Sequence, residues 1–499
     1  MWGWRCCPVV DRDAVLSRVA RDGYLLAYAP DALRADREVV LAAVTNRGFA
    51  LKHASIDLRA DRDVVLAAVA TDGRALKFAS WLLSNDRNLV LCSVRSHGSA
   101  LEFASSALRS DREVVLAAVS NFGWALDFAS EALRDDREVV LVAVANNGCA
   151  LQYASTALRS DHAVVLTAVG KHAHALPYAS TTLRTDRAVV LAAVSRDGWA
   201  LMYASTLSDD HEVVLVAVRN DGSSLRFASE ALRDDHDVVL AAVLQNGQAL
   251  EHASEARRAD RAVVLAAVAT TGIALEHASP NIQADRDVVR TAVSQDGCAL
   301  LYAAEVLRAD RAVVLAAVTQ DGRALAYASE VLRADRAVVL IAVTTTGLAL
   351  ECAPPEFRFD RGVVLAAVAQ NGRALVHASE MLGADRAVVL AAVATTGLAL
   401  EFVQPAFRND HGVLLAAVSQ DGSALAFASG WNRVDPEILT AAVSENRRAL
   451  MNVSRPLRAP RYLRAGPVET RLLFRHMPYP FYLPEDLVAA HILPRCHRW

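Results

Sequence analysis

The sequence predicts an all-α solenoid of eighteen two-helix repeats, each about 25 residues long. Three observations predict it. An Asp followed by Arg or His recurs with a strict period. A short apolar block of the form V-V-L-A-A-V follows each Asp, and a Gly falls twelve residues after it. A chain of 499 residues without such a period would suggest several globular domains, but self-similarity at a fixed period is the signature of a repeat array. The hand of the superhelix is not encoded in the pattern.

The Asp series runs through Asp11, Asp36, Asp61, Asp86, Asp111, Asp136, Asp161 and Asp186 at 25-residue spacing. One residue is lost near Leu207, and the series resumes at Asp210 and continues to Asp410, with a weaker last copy from Asp435. Each Asp is a helix N-cap candidate, because its carboxylate can accept from free N–H groups of the first turn and complements the helix dipole. Asp36, Asp61, Asp111 and Asp136 are representative. The V-V-L-A-A-V block is apolar on nearly every side, as expected of a helix sandwiched between neighbours.

The Gly series, with Gly48, Gly73, Gly123 and Gly148 as examples, is broken only by Ala173 and Arg447. Its place after the helix predicts a left-handed residue closing the C-terminus. A second, shorter helix then carries A-L-x-aromatic-A, and a Ser, such as Ser55, Ser80 or Ser105, caps the turn into L-R-x-D. A β-solenoid reading fails because the L-x-L-x alternation is missing and apolar residues run consecutively into a Gly stop. Repeats of this kind cannot bury their apolar face alone, so stability comes from stacked neighbours.

Composition bounds the function. Hydrophobic residues make up 53% and aromatics 6%, and the apolar mass is mostly Ala, Val and Leu, which suits closely stacked helices. A net charge of -4 supplies no global field for nucleic acid or an anionic membrane. The basic residues are almost all Arg; Lys52, Lys77 and Lys171 are the only lysines. Seven cysteines, odd in number and scattered without a CxxC pair, support neither a disulfide framework nor a zinc site. Together with apolar runs too short to span a bilayer and no signal-peptide pattern at the start, they predict a soluble, intracellular, cytoplasmic protein.

The unit D-R-E-V-V-L-A-A-V-S-N-F-G-W-A-L-D-F-A-S-E-A-L-R-D, residues 111 to 135, resembles the repeat called domain of unknown function 4116. The resemblance covers about residues 11–455. It implies an all-helical tandem array and no catalytic residues, since that family carries no assigned activity. Pro354, Pro355 and Pro405 depart from the pattern where the second helix should end, as does the degenerate copy after Asp435.

The polar series fit structure better than chemistry. The Asp-Arg pairs read as caps plus an ion-pair ladder between neighbouring repeats, and surface pairs of this kind contribute little each. His replaces Arg at His162, His211, His236 and His411, with no Ser or Cys partner that would make a hydrolase triad. An aromatic or His fills the slot five residues after the Gly, as in Phe78, Phe128 and His277, and is expected to pack at the seam between repeats; a platform for stacked bases is the competing reading. The position just after the Gly varies almost freely, which means either plain solvent exposure or a recognition surface. If recognition, Trp124, Trp199, Arg323 and Arg373 are its expected anchors, because Trp and Arg dominate interface hot spots.

Phosphate-binding Gly motifs are missing, and no catalytic, cofactor or metal residues are assigned. The expectation is a non-enzymatic scaffold for an unidentified protein partner, with neither membrane nor cofactor. A modular single-strand nucleic-acid binder and a structural array without a ligand are the alternatives. Residues 1–10 read as a lead-in, 11–459 as the solenoid, and 460–499 as a Pro-, Arg- and aromatic-rich tail. The tail either caps the last layer, with a short helix near Glu485–His491, or is a disordered basic or docking segment. The T-T-G then Q-N/D-G order in residues 335–384 and 385–434 suggests duplication by pairs of repeats.

Overall fold

A computed structural model describes residues 11–428 and 432–446. The lead-in, the tail with its expected helix, and Arg447 and Arg448 lie outside the described residues. The chain divides into two compact units, Met1–Gln245 with His252–Ser254, and Asn246–Glu251 with Glu255–Trp499. In each, all regular structure among the described residues is helical, and the fold class is an all-α solenoid.

The repeat that begins at Asp111 shows how each layer is built. Arg112–Asn121 form an α-helix. Asp111 caps it, accepting from Glu113 N at 3.0 Å and Val114 N at 3.1 Å. Val114, Val115, Ala118 and Val119 are buried with no exposed surface, as are their counterparts in neighbouring repeats. Each such Val contributes roughly 1.5–3 kcal/mol relative to leaving it in water. Leu116 and Ala117, on the flank, are only half-buried, so the helix is not apolar-covered all round.

The second element is not an α-helix. Gly123–Phe128 form a 3-10 helix, entered through an extended residue, Phe122, at φ -145° and ψ 96°. The tighter i→i+3 pattern eclipses every third side chain. That puts Gly123, Leu126 and Ala129 on one buried line. A third short turn, Glu131–Arg134 here and Leu108–Ser110 in the previous repeat, leads to the next Asp. The repeat therefore has three helical pieces where the pattern suggested two.

The glycines correct a second expectation. No described residue has a left-handed φ, so Gly48, Gly73, Gly123 and Gly148 do not close their helices in that way. Each instead starts a 3-10 helix pressed against the next repeat. A Cβ on Gly48 would lie 2.4 Å from the Ala68 carbonyl oxygen, and one on Gly123 would lie 2.5 Å from that of Ala143. Gly is required by close approach of two backbones.

Three kinds of bond lock a repeat to its neighbour. Arg112 Nε donates to Asp136 Oδ2 at 2.9 Å, Arg12 to Asp36 at 2.6 Å and Arg37 to Asp61 at 3.0 Å; in the second unit Arg336 reaches Asp360 at 2.7 Å. Where His stands in, the pair is longer: 3.6 Å for His162–Asp186 and 3.8 Å for His211–Asp235. The Ser130 N–H donates to the Arg109 carbonyl at 2.9 Å, a bond repeated at Ser55, Ser80 and Ser155. Finally, Asn146 bridges two layers, accepting from Gly123 N at 2.8 Å and donating to the Ser120 carbonyl at 2.9 Å.

The irregular repeats keep this frame. The lost residue near Leu207 is absorbed in a shortened turn, Ser205–Leu207, and Arg187 still reaches Asp210 at 2.8 Å. Pro354 removes one backbone donor, while Pro355 takes the first position of a 3-10 turn, where its missing N–H costs nothing.

Candidate interaction ribbon

The slot after the Gly is less free than its variability implies. At Phe49, Trp124 and Trp199 in the first unit its side chain lies against the aromatic, five residues after the Gly, of the following repeat. Phe49 packs edge-on to Phe78 with ring centroids 5.6 Å apart, Trp124 to Tyr153 at 5.8 Å, and Trp199 to Phe227 at 5.4 Å. These rings are half-buried. Edge-to-face geometry of this kind adds about 0.5–1.5 kcal/mol beyond area burial.

Trp199 is fixed from three sides. Its Nε1–H donates to Asp221 Oδ2 at 2.8 Å, its edge meets Phe227, and the Arg226 guanidinium lies 5.6 Å from its ring centroid. Trp199 is thus held in one orientation by Asp221, Arg226 and Phe227 of the following repeat, of which the slot of Phe227 keeps its aromatic or His character along the array.

In the second unit the slot does the same with polar groups. Gln248 Oε1 and His277 Nε2 lie 2.9 Å apart, and the Arg373 guanidinium sits 5.8 Å from the Phe402 ring centroid. Arg323 folds back on Asp321, donating from Nε at 3.0 Å and from its terminal nitrogen at 2.8 Å. Arg323 also lines a shallow hollow with Gln295, Asp296, Gln320, Asp321, Thr346 and Leu348. The Arg323 hydrogen bonds hold the Asp321 carboxyl below its usual range, so the hollow keeps a fixed negative charge beside a fixed positive one.

The four expected anchors are therefore not gathered into one site. Trp124 and Trp199 lie three repeats apart in the first unit, and Arg323 and Arg373 two repeats apart in the second. Trp124 and Trp199 are half-buried, while Arg323 and Arg373 are exposed.

Burial pushes the Cys149, Cys298 and Cys352 thiols up, away from the thiolate a nucleophile needs. Among the described residues no group of three or more His, Cys, Asp or Glu side chains is placed to hold a metal. No helix among them is long and apolar enough to cross a membrane.

The amide bridge went unseen in the sequence. Its acceptor is Asn46, Asn121, Asn146 or Gln320 two residues before a Gly, but His97 or Thr346 directly before one, and His172 directly before Ala173. A pattern that changes both residue type and register is hidden from a periodicity search. So is the role of the L-R-x Arg at Arg34 and Arg408, whose Nε donates to a carbonyl five residues back, that of Ala29 at 3.0 Å and that of Val403 at 2.7 Å.

The family model described as Domain of unknown function (DUF4116) matches residues 11–59, 61–109, 111–159, 161–208, 210–258, 260–308, 285–333, 310–358, 335–383 and 385–433. Each match spans two Asp-headed repeats. Those at 285–333 and 335–383 overlap the others one repeat out of step, so the model fits in either register. Among curated proteins, none matches the chain.

Proposed function

The chain belongs to the repeat family described as Domain of unknown function (DUF4116), and on that premise we propose that it is a non-enzymatic scaffold that binds protein partners along its ribbon of variable slots. The observation that carries this reading is the fixed pose of varied side chains between neighbouring repeats, of which Trp199 bonded to Asp221 is the clearest case. Preorganised aromatic and guanidinium groups spend little conformational entropy on binding. Base stacking is the weaker reading, because a partner needs open ring faces. Here the rings are half-buried and packed edge-on, and Arg74 lies 5.2 Å from the Phe49 centroid.

Affinity capture with the intact chain tests the proposal. Proteins bound by the wild type should be lost or weakened about tenfold or more when Trp124, Trp199, Arg323 and Arg373 are replaced by Ala in unit-wise pairs. Retention of every bound protein by both pairs would contradict it. Single-stranded RNA binding at low salt, with no protein captured, would favour the nucleic-acid alternative.

A further inference from the structure

One position of the ribbon carries an ordered block of charge. The fourth residue after the Gly reads Lys52, Lys77, Glu102, Asp127 in four successive repeats. All four side chains are exposed, and none makes an ion pair among the described residues of its own chain. The positions flanking the block are Ala27 and Gln152, so the run has clean ends. Two of the three lysines in the whole chain stand here.

Read in the opposite direction, two positives followed by two negatives become their own complement. An isologous interface has this property, since each contact from residue i to residue j is repeated from j to i. A two-fold axis between the repeats of Lys77 and Glu102 sets Lys77 against Glu102, and Lys52 against Asp127, of a second copy. An axis lying across the ribbon also keeps the adjoining turns on the same side. Those turns hold Ile56, Trp81 and Leu82, which are 75%, 78% and 60% exposed. Trp81 and Leu82 then meet the small exposed residues Ser106 and Ala107 of the other copy. Exposed apolar side chains grouped beside complementary charge mark an association site.

We propose that this face, Lys52 to Asp127, pairs antiparallel with the same face of a second copy of the chain. The inference goes beyond the scaffold reading and does not depend on it. An acidic peptide or a nucleic acid fits the face less well, because Glu102 and Asp127 would oppose its charge. The pairs are exposed and few, so the dimer is weak and dissolves as salt screens it.

Sedimentation velocity on the full chain tests it. The wild type should pass from monomer to dimer with concentration at low salt, and the dissociation constant should rise at least tenfold in 0.5 M NaCl. The doubles K52E/K77E and E102K/D127K should each be monomeric, since every facing pair becomes repulsive. Mixing the two doubles, or combining all four changes in one chain, should restore dimers. A wild type that stays monomeric at 100 μM, or a dimer indifferent to either double, overturns the proposal, as does a mixture that fails to associate. Monomeric doubles that still capture protein partners leave the scaffold reading intact.

Discussion

Replacing Gly123 by Ala separates two explanations of the Gly series. Gly123 opens a right-handed 3-10 helix, and no described residue has a left-handed φ, so backbone conformation alone allows Ala there. On that ground Gly→Ala should stabilise by about 0.4–1 kcal/mol, through the unfolded chain. The close approach predicts the opposite sign. The new Cβ would stand 2.5 Å from the Ala143 carbonyl oxygen and 3.1 Å from Asn147, where ordinary contact begins at 3.4 Å. The two repeats must part by nearly an ångström, and the Gly123–Asn146 bond of 2.8 Å stretches with them. Overpacking of this kind costs about 1–3 kcal/mol, leaving a net loss of up to about 2.5 kcal/mol. Urea unfolding of the full chain measures it, and hydrogen exchange of helices Arg112–Asn121 and Arg137–Asn146 locates it. A G123A chain as stable as wild type, or more stable, refutes the close-approach account.

At Ala173 the array already seats a methyl, so A173G should lose about 0.5–1 kcal/mol by the same urea measurement, and a gain would contradict a relaxed interface there. N146A leaves the buried Gly123 N–H without its acceptor and should cost about 1–3 kcal/mol, with faster exchange confined to the adjoining repeats. The Arg336 hydrogen bonds hold the Asp360 carboxyl at about 2, and Arg12 likewise lowers that of Asp36. A depressed carboxyl contributes stability that is complete above the unfolded value of about 4 and is lost as pH falls through the folded one. Stability should therefore decline between about pH 4 and pH 2, and R336A should flatten that decline; an unchanged slope would show that the ladder does not couple to folding.

The fold was legible where one residue type holds one register. Asp111 and Arg112 recur at fixed spacing, and their roles, cap and rung, depend only on being at a helix N-terminus facing the next repeat. The Gly misled because a Gly after an apolar helix usually supplies a left-handed closure, whereas here the constraint comes from the Ala143 carbonyl, a partner twenty residues away in sequence. The 3-10 character of Gly123–Phe128 was hidden for a related reason: a six-residue A-L-x-aromatic pattern suits either helix, and the choice follows from packing. The ribbon was half legible. Variability singled out the slot of Trp199, but its pinning by Asp221 is a contact between repeats that no local pattern displays.

The central claim is that each repeat is held by its neighbour through backbone as well as side chains. Residue-resolved hydrogen exchange on the intact chain tests it most directly at Ser55, Ser80, Ser130 and Ser155, whose N–H groups donate to carbonyls of the preceding repeat. The account predicts that these four amides are protected on the same timescale as the α-helices on either side. Exchange at the rate of free turn residues, with the helices still protected, would contradict it.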